Sequence, residues 1–343
     1  MPARLCSALR MVVALALACA CASAGAQANA QPGYAEMLDA LSRAHGSVVG
    51  IRAQATEDAR SAQTLGRERT GSGVVIGADG LVLTIGYLVL EADGVQVVTP
   101  DGRAIPARTV AYDLATGFRL VRPVLPLRDV PPARLGNASQ LQAGEGLMVA
   151  MGDTAGGTAA AQLAGRRPFS GYWEYHIDGA LFTAPPVANH SGAALFNLRG
   201  ELVGIGSLFV SDVSGEGARL PGNMFVPVDL IKPILPELRR TGTSAQSRRP
   251  WLGVSSSQQG GRVHVVRVSK EGPAFAAGVQ PGDVILAVDG VKVASLEEFY
   301  KQLWAHTRWD ADIELTVLRG PEIRVLRVNP VDRMSTIARP PGI

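Results

Sequence analysis

From residue 71 onward the chain is written in short apolar runs broken by turn residues about every ten positions. Residues 71–76 (Gly-Ser-Gly-Val-Val-Ile) and 81–84 (Leu-Val-Leu-Thr) flank Ala78-Asp79-Gly80, which predicts two strands joined by an Asp-Gly turn. Residues 95–99 and 104–110 flank Pro100-Asp101-Gly102 in the same way. Further strands are expected at 118–124, 146–151, 162–165, 172–177, 202–209 and 224–227. Upstream, Met37, Leu38 and Leu41 fall at helical spacing within 34–44, residues 48–52 form a first strand-like run, and 57–69 is polar and loop-like. A helix is expected over 228–238. The pattern predicts a mainly β barrel or sandwich architecture.

Residues 239–249 (Arg-Arg-Thr-Gly-Thr-Ser-Ala-Gln-Ser-Arg-Arg) lack apolar side chains of any size and read as a linker. They separate a first domain, 34–238, from a smaller α+β domain, 250–330. In the latter, strands are expected at 263–268, 282–290 and 313–318, with a helix over 295–306. Ser295 caps that helix and Glu297 and Glu298 lie in its first turn. Leu296, Phe299, Tyr300 and Leu303 share one stripe, which either packs a core or walls a groove. The tail, 331–343, is expected to be disordered. A length of 343 residues suits two domains.

Composition narrows the functional classes. Lys and Arg total 33 against 30 acidic residues; without Arg4 and Arg10 the balance is close to neutral, which gives no footprint for nucleic acid or an anionic membrane. Residues 1–26 read as a cleavable export signal. Arg4 and Arg10 precede an apolar core at 11–22, and Ala22-Ser23-Ala24 and Ala24-Gly25-Ala26 are small-residue cleavage patterns. The core is too short for a stable membrane span. Cys6, Cys19 and Cys21 all lie in this segment, so the mature chain is expected to carry no disulfide, thiolate chemistry or cysteine–metal site. Lipidation of Cys19 or Cys21 is the rival reading; Ala16 and Ala18 stand three residues before them, where Leu, Val or Ile would favour it.

The candidate chemistry centres on Asn189-His190-Ser191-Gly192. A Ser presented beside a Gly at a bend suits a nucleophile, although Ser-Gly pairs between strands are also ordinary turns. Ser191 needs a base. No lysine precedes Lys232, which leaves His45, His176 and His190 as residues that could serve. A His176–Asp178–His190 metal site is conceivable, but unrelated polar residues explain the spacing better; no metal or cofactor is expected.

Residues 251–254 (Trp-Leu-Gly-Val), 272–279 (Gly-Pro-Ala-Phe-Ala-Ala-Gly-Val) and 281–290 (Pro-Gly-Asp-Val-Ile-Leu-Ala-Val-Asp-Gly) resemble the PDZ domain of exported HtrA (Deg) serine proteases. Residues 71–76, 80–84, 101–103 and 192–203 resemble the trypsin-like domain of the same family. The resemblance implies two six-stranded β-barrels followed by one PDZ module. Carried over position by position, the family's Leu-Thr-Asn-Asn-His-Val-Val is here Leu83-Thr84-Ile85-Gly86-Tyr87-Leu88-Val89, which puts Tyr87 at the base position. Its Asp-x-x-Thr-Asp-Leu-Ala-Leu is Asp113-Leu114-Ala115-Thr116-Gly117-Phe118-Arg119-Leu120, which puts Gly117 at the acid position. Its Gly-Asn-Ser-Gly-Gly-Pro-Leu keeps only Ser191 of the triad, with Asn189 and Ser191 at the oxyanion pocket.

The family match further implies that Trp251, Leu252, Gly253 and Val254 bind a peptide carboxylate and that Phe299 and Leu303 wall the groove. The expected function is that of a periplasmic pseudoprotease that binds unfolded or C-terminal peptides in envelope protein quality control. A weak endopeptidase using Ser191, and a non-catalytic subunit of homo-oligomers or mixed HtrA-type oligomers, are the alternatives.

Overall fold

The structure is a computed structural model, and it describes residues 33–152, 157–306 and 308–336. The expected export signal lies outside the described residues. The chain forms two compact units. Among the described residues, one contains 33–167 and Gly179–Thr243, and the other contains Pro168–Asp178 and 244–336.

The first unit opens with α1 (Tyr34–His45), which buries Met37, Leu41 and Ala44 along one stripe. Six strands then close a barrel in the order β1-β2-β3-β6-β5-β4: β1 (Val48–Ala55), β2 (Glu68–Val75), β3 (Val82–Ile85), β4 (Ala92–Val98), β5 (Ala104–Tyr112) and β6 (Phe118–Pro123). Closure removes both sheet edges, and Ile51, Val75, Val82, Val97 and Val121, which the register places on one face, fill the interior. The polar segment 57–69 is less loop-like than its composition suggests, with one helical turn, α2 (Ala62–Leu65), and the start of β2 inside it.

A second sheet follows from β7 (Arg134–Leu135), β8 (Gly146–Met151), β9 (Gly157–Gly171), β10 (Tyr175–Ala184), β11 (Ala194–Phe196), β12 (Glu201–Val210) and β13 (Gly222–Pro227). Its order is β11-β8-β9-β10-β13-β12-β7, and β11 also pairs with β12. That last pairing closes six of the strands into a ring, with β7 appended in parallel to β12. Of the expected strand at 172–177, residues 172–174 form the hairpin turn between β9 and β10, and 175–177 begin β10. The expected helix at 228–238 is divided: a 3-10 turn covers Val228–Leu230 and α3 covers Leu235–Thr241. Pro233 and Pro236 lack the N–H that a continuous helix would use, and Pro236 is tolerated because it falls in the first turn of α3.

The second unit is built on β14 (Pro250–Trp251), β15 (Val254–Gln259), β16 (Arg262–Val268), α4 (Pro273–Ala276), β17 (Val284–Val288), β18 (Val291–Lys292), α5 (Leu296–Leu303), β19 (Ile313–Arg319), β20 (Glu322–Val328), β21 (Val331–Asp332) and α6 (Arg333–Thr336). The sheet order is β15-β16-β17-β19-β20, with β18 on β17. Ser295 caps α5 by accepting from the Glu298 N–H. The expected linker is ordered in part: α3 runs to Thr241, and Ser244 and Ser247 are buried around a 3-10 turn at Ala245–Ser247. The expected disordered tail is also ordered over its first residues, because β21 pairs with β14 and α6 follows it; residues 337–343 lie outside the described residues.

Candidate functional site

Ser191 sits in a turn held from both sides. The approach to it is fixed by buried Asn223 on β13, whose amide accepts from the Val187 N–H (2.6 Å) and donates to the Val187 carbonyl (3.2 Å). At the turn, the Ser191 carbonyl accepts from Ser72 N on β2 (2.9 Å), and Gly192 N donates to the Gly206 carbonyl on β12 (2.9 Å). Gly192 has φ +71°. A Cβ there would lie 2.0 Å from the Ser72 carbonyl oxygen, so only glycine fits. Among the described residues, neither the Asn189 nor the Ser191 backbone N–H has a protein acceptor. The two donors implicated in an oxyanion pocket are therefore unspent.

Tyr87 lies in the 3-10 turn Gly86–Val89 that follows β3. Buried Arg69 pins this turn by donating to the carbonyls of Tyr87 (2.9 Å) and Leu90 (2.8 Å). The Tyr87 phenol oxygen is 2.8 Å from Ser191 Oγ and 2.7 Å from the Ser207 carbonyl, and its single O–H can donate to either. When it points at the Ser207 carbonyl, the Ser191 hydroxyl can donate to the phenol oxygen instead. Burial pushes the Tyr87 phenol up to about 12, against a smaller lowering by Ser191. Among the described residues, Tyr87 is the side chain bonded to Ser191 Oγ.

Gly117 occupies the turn between β5 and β6 at φ +77°, and its carbonyl accepts from Gly86 N (2.7 Å). It offers no side chain to orient a base. Buried Asp113, four residues earlier, accepts from Thr116 N (2.9 Å) and Thr116 Oγ1 (2.6 Å), which commits its carboxylate to its own turn.

Among the described residues, none of the other possible bases is hydrogen-bonded to Ser191. His190 Nδ1 lies 3.1 Å from the Val187 carbonyl. His45, expected at the surface, is half-buried at the end of α1, and burial lowers its pKa. His176 belongs to the second unit, where Ser170 Oγ (2.8 Å) and Asp178 Oδ1 (3.1 Å) take its two ring nitrogens. Lys232 pairs with Asp229 (2.7 Å) and donates to the Gly136 carbonyl. His176, Asp178 and Glu297 bring ligand atoms within 4.8 Å of one another. The ammonium of Lys301 stands among them, 2.8 Å from Asp178 and 2.7 Å from Glu297, and supplies the positive charge itself.

In the second unit, Trp251, Leu252, Gly253 and Val254 form the loop that enters β15. Phe299 and Leu303, expected on a groove wall, are wholly buried in the core with Leu252, Val254 and Val265 and present no surface to solvent. The loop amides converge on Glu174, at the tip of the β9–β10 hairpin. Its carboxylate accepts from Leu252 N (3.1 Å), Gly253 N (2.8 Å) and Val254 N (2.9 Å). Sequence reasoning missed Glu174, Tyr300 and Arg333. The one available signal was an isolated acid flanked by the aromatics Tyr172, Trp173 and Tyr175.

Residues 71–205 match the trypsin-like peptidase domain family and residues 250–329 match the PDZ domain family. The chain carries a trypsin-like peptidase domain followed by one PDZ domain, and its relatives and structural neighbours are HtrA-type serine endoproteases. It is 29% identical over 246 residues to a probable periplasmic serine endoprotease DegP-like of Hahella chejuensis, covering 67% of this chain and 50% of that one. It is 28% identical over 265 residues to the serine endoprotease DegS of Haemophilus influenzae, covering 73% of each. The chain spans about half the length of the DegP-like relatives it matches. Its fold matches the HtrA-type protease AlgW solved with a decapeptide (TM-score 0.56, 21% identity, 89% of this chain and 99% of that one). It also matches a serine endoprotease from Yersinia pestis (TM-score 0.53, 21% identity, 89% and 99%). Among the described residues no helix is long and apolar enough to cross a membrane.

Proposed function

We propose that this HtrA-like chain is exported to the periplasm, holds unfolded or C-terminal peptide segments through its PDZ domain, and does not cut them. The observation that carries the reading is the phenol 2.8 Å from Ser191 Oγ. A serine hydroxyl becomes a nucleophile only when a base near neutral pKa takes its proton. A phenol pushed up to about 12 keeps its own proton at neutral pH and takes none. With Gly117 in place of an acid, nothing orients or charges a substitute base. The turn around Ser191 persists as a surface against which an extended peptide can lie, and envelope protein quality control is the setting this chemistry suits.

The test is hydrolysis of unfolded casein by the purified chain, with Ser191→Ala as control. Equal, background-level cleavage by both proteins is expected. Cleavage by the wild type that Ser191→Ala abolishes would overturn the reading. That result would favour a weak endopeptidase, a reading supported by the unspent N–H groups of Asn189 and Ser191.

A further inference from the structure

We propose that Glu174 is a built-in ligand of the PDZ carboxylate loop, and that an incoming C-terminal peptide must displace it. The inference rests on the reading of residues 251–254 as the peptide-carboxylate loop. Capture of a peptide end by such a domain needs two things: backbone N–H groups converging on a carboxylate, and an open strand edge that accepts a new strand. Both are already used inside this unit. Three successive amides of the loop hold the Glu174 carboxylate within 3.1 Å. Two residues back along the hairpin, the Tyr172 carbonyl accepts from Ser256 N of β15 (3.0 Å). The hairpin turn 172–174 thus meets the edge of β15 through one backbone bond while the Glu174 side chain fills the loop beside it.

The segment is built to stay in place. Tyr300 on α5 donates to the Gly171 carbonyl (2.7 Å) and accepts from Glu174 N (3.3 Å). Arg333 of α6 donates to the carbonyls of Trp173 (3.0 Å) and Glu174 (3.4 Å). Trp173 stacks on Tyr175 with ring centres 5.6 Å apart and meets Phe169 and Tyr172 at tilted or edge-on angles. Glu174 itself has φ +56°, a left-handed conformation that a non-glycine residue adopts only when its surroundings enforce it. Burial raises the pKa of its carboxyl, and Arg333 and the three loop amides oppose that rise. Asp178 and Glu297, the other acids nearby, are paired to Lys301 instead. Glu174 is thus the acid given to the loop.

An internal ligand competes at high effective concentration, so the loop is free for only a small fraction of the time and the apparent peptide affinity falls by that fraction. The probe is a fluorescein-labelled decapeptide pool, randomised at its last three positions, with either a free C-terminal carboxylate or an amide. It is titrated into the full chain by anisotropy. Glu174→Ala is expected to bind the free-carboxylate pool about tenfold or more tighter than the wild type, with no gain for the amide pool. Glu174→Gln keeps the side chain's shape and one acceptor oxygen, and should fall between them. Circular dichroism and amide exchange at Leu252, Gly253 and Val254 run in parallel; loss of protection at these amides alone, in a folded Glu174→Gln protein, is the second expected result. Equal binding by wild type and both variants would overturn the internal ligand while leaving peptide binding intact. If neither the wild type nor any folded variant binds either pool, the peptide-binding reading fails, and displacement fails with it.

Discussion

Ser191 reacts with an electrophile only as fast as its proton can be removed, so its rate at a given pH follows from its neighbour. Tyr87 is that neighbour, and its phenol is pushed up to about 12. About one molecule in 10⁴ then carries the phenolate at pH 8, and about one in 100 at pH 10. Removing the imidazole from a serine triad costs on the order of 10⁶ in rate. A fluorophosphonate–rhodamine probe reads this directly. The purified chain is incubated from pH 7 to pH 10, resolved on a gel, and compared with Ser191→Ala. No labelling above that control is expected at pH 8, and any labelling at higher pH should rise about tenfold per unit. Tyr87→His supplies a base near 6.5 and should label faster at pH 8, though without an acid it stays about 10⁴ below a complete triad. Adding Gly117→Asp brings the acid but places it at φ +77°, at a strain of about 1–2 kcal/mol. Rapid wild-type labelling at pH 7–8 that disappears in Ser191→Ala would refute the reasoning.

Four further outcomes follow from contacts described by the structure. Tyr87→Phe removes the hydroxyl that bridges Ser191 and Ser207 and should lower stability by about 1–2 kcal/mol in urea unfolding, without changing the casein result. The Tyr87 phenol ionises near 10 in the unfolded chain and about 12 in the folded one. Folding therefore loses about 2–3 kcal/mol as pH rises from 10 toward 12, with none of that loss below pH 10, and alkaline unfolding of Tyr87→Phe should be correspondingly less steep over that window. Gly192→Ala puts a methyl against the Ser72 carbonyl at a left-handed φ, and should cost about 2–4 kcal/mol or prevent soluble expression, whereas Ser191→Ala should be nearly neutral. In the second unit, burial would raise the Asp283 carboxyl, but the paired guanidinium of Arg319 at 2.7 and 2.8 Å holds it below its usual range. That stability is present above about pH 4 and lost as pH falls further; Arg319→Ala should unfold at lower urea at pH 7 and show a weaker acid dependence.

Much of the architecture was legible because it is periodic. The Asp79-Gly80 turn between two β-branched runs becomes the β2–β3 hairpin, with Val75 opposite Val82. The approach of Tyr87 to Ser191 could be expected from motif positions alone, although 104 residues separate them. What the sequence hid has physical causes. Residues 172–177 alternate bulky and polar side chains as a strand does, yet Glu174 turns the chain there because three amides and Arg333 reward the conformation. Residues 331–336 carry little hydrophobic content, and they are ordered by backbone pairing to β14 and by Arg333 reaching the hairpin carbonyls, neither of which leaves a compositional mark. Phe299 and Leu303 share a stripe whose core and groove faces cannot be told apart by spacing. The polar run at 239–249 is held by buried serines and the end of α3, where few apolar residues are needed.

The C-terminal unit is discontinuous in sequence: Pro168–Asp178 belongs to it although most of the trypsin-like fold's last strands intervene before Ser244. A fragment cut at the edges of the PDZ match, 250–329, would leave behind Glu174, and with it the acid that fills its own loop, as well as Arg333. Such a fragment would display three unpaired amides that the whole chain keeps satisfied. If the proposed internal ligand holds, the affinity of such a fragment for peptide ends would differ from that of the whole chain, and cutting this chain into modules would expose a binding site that the chain itself keeps filled.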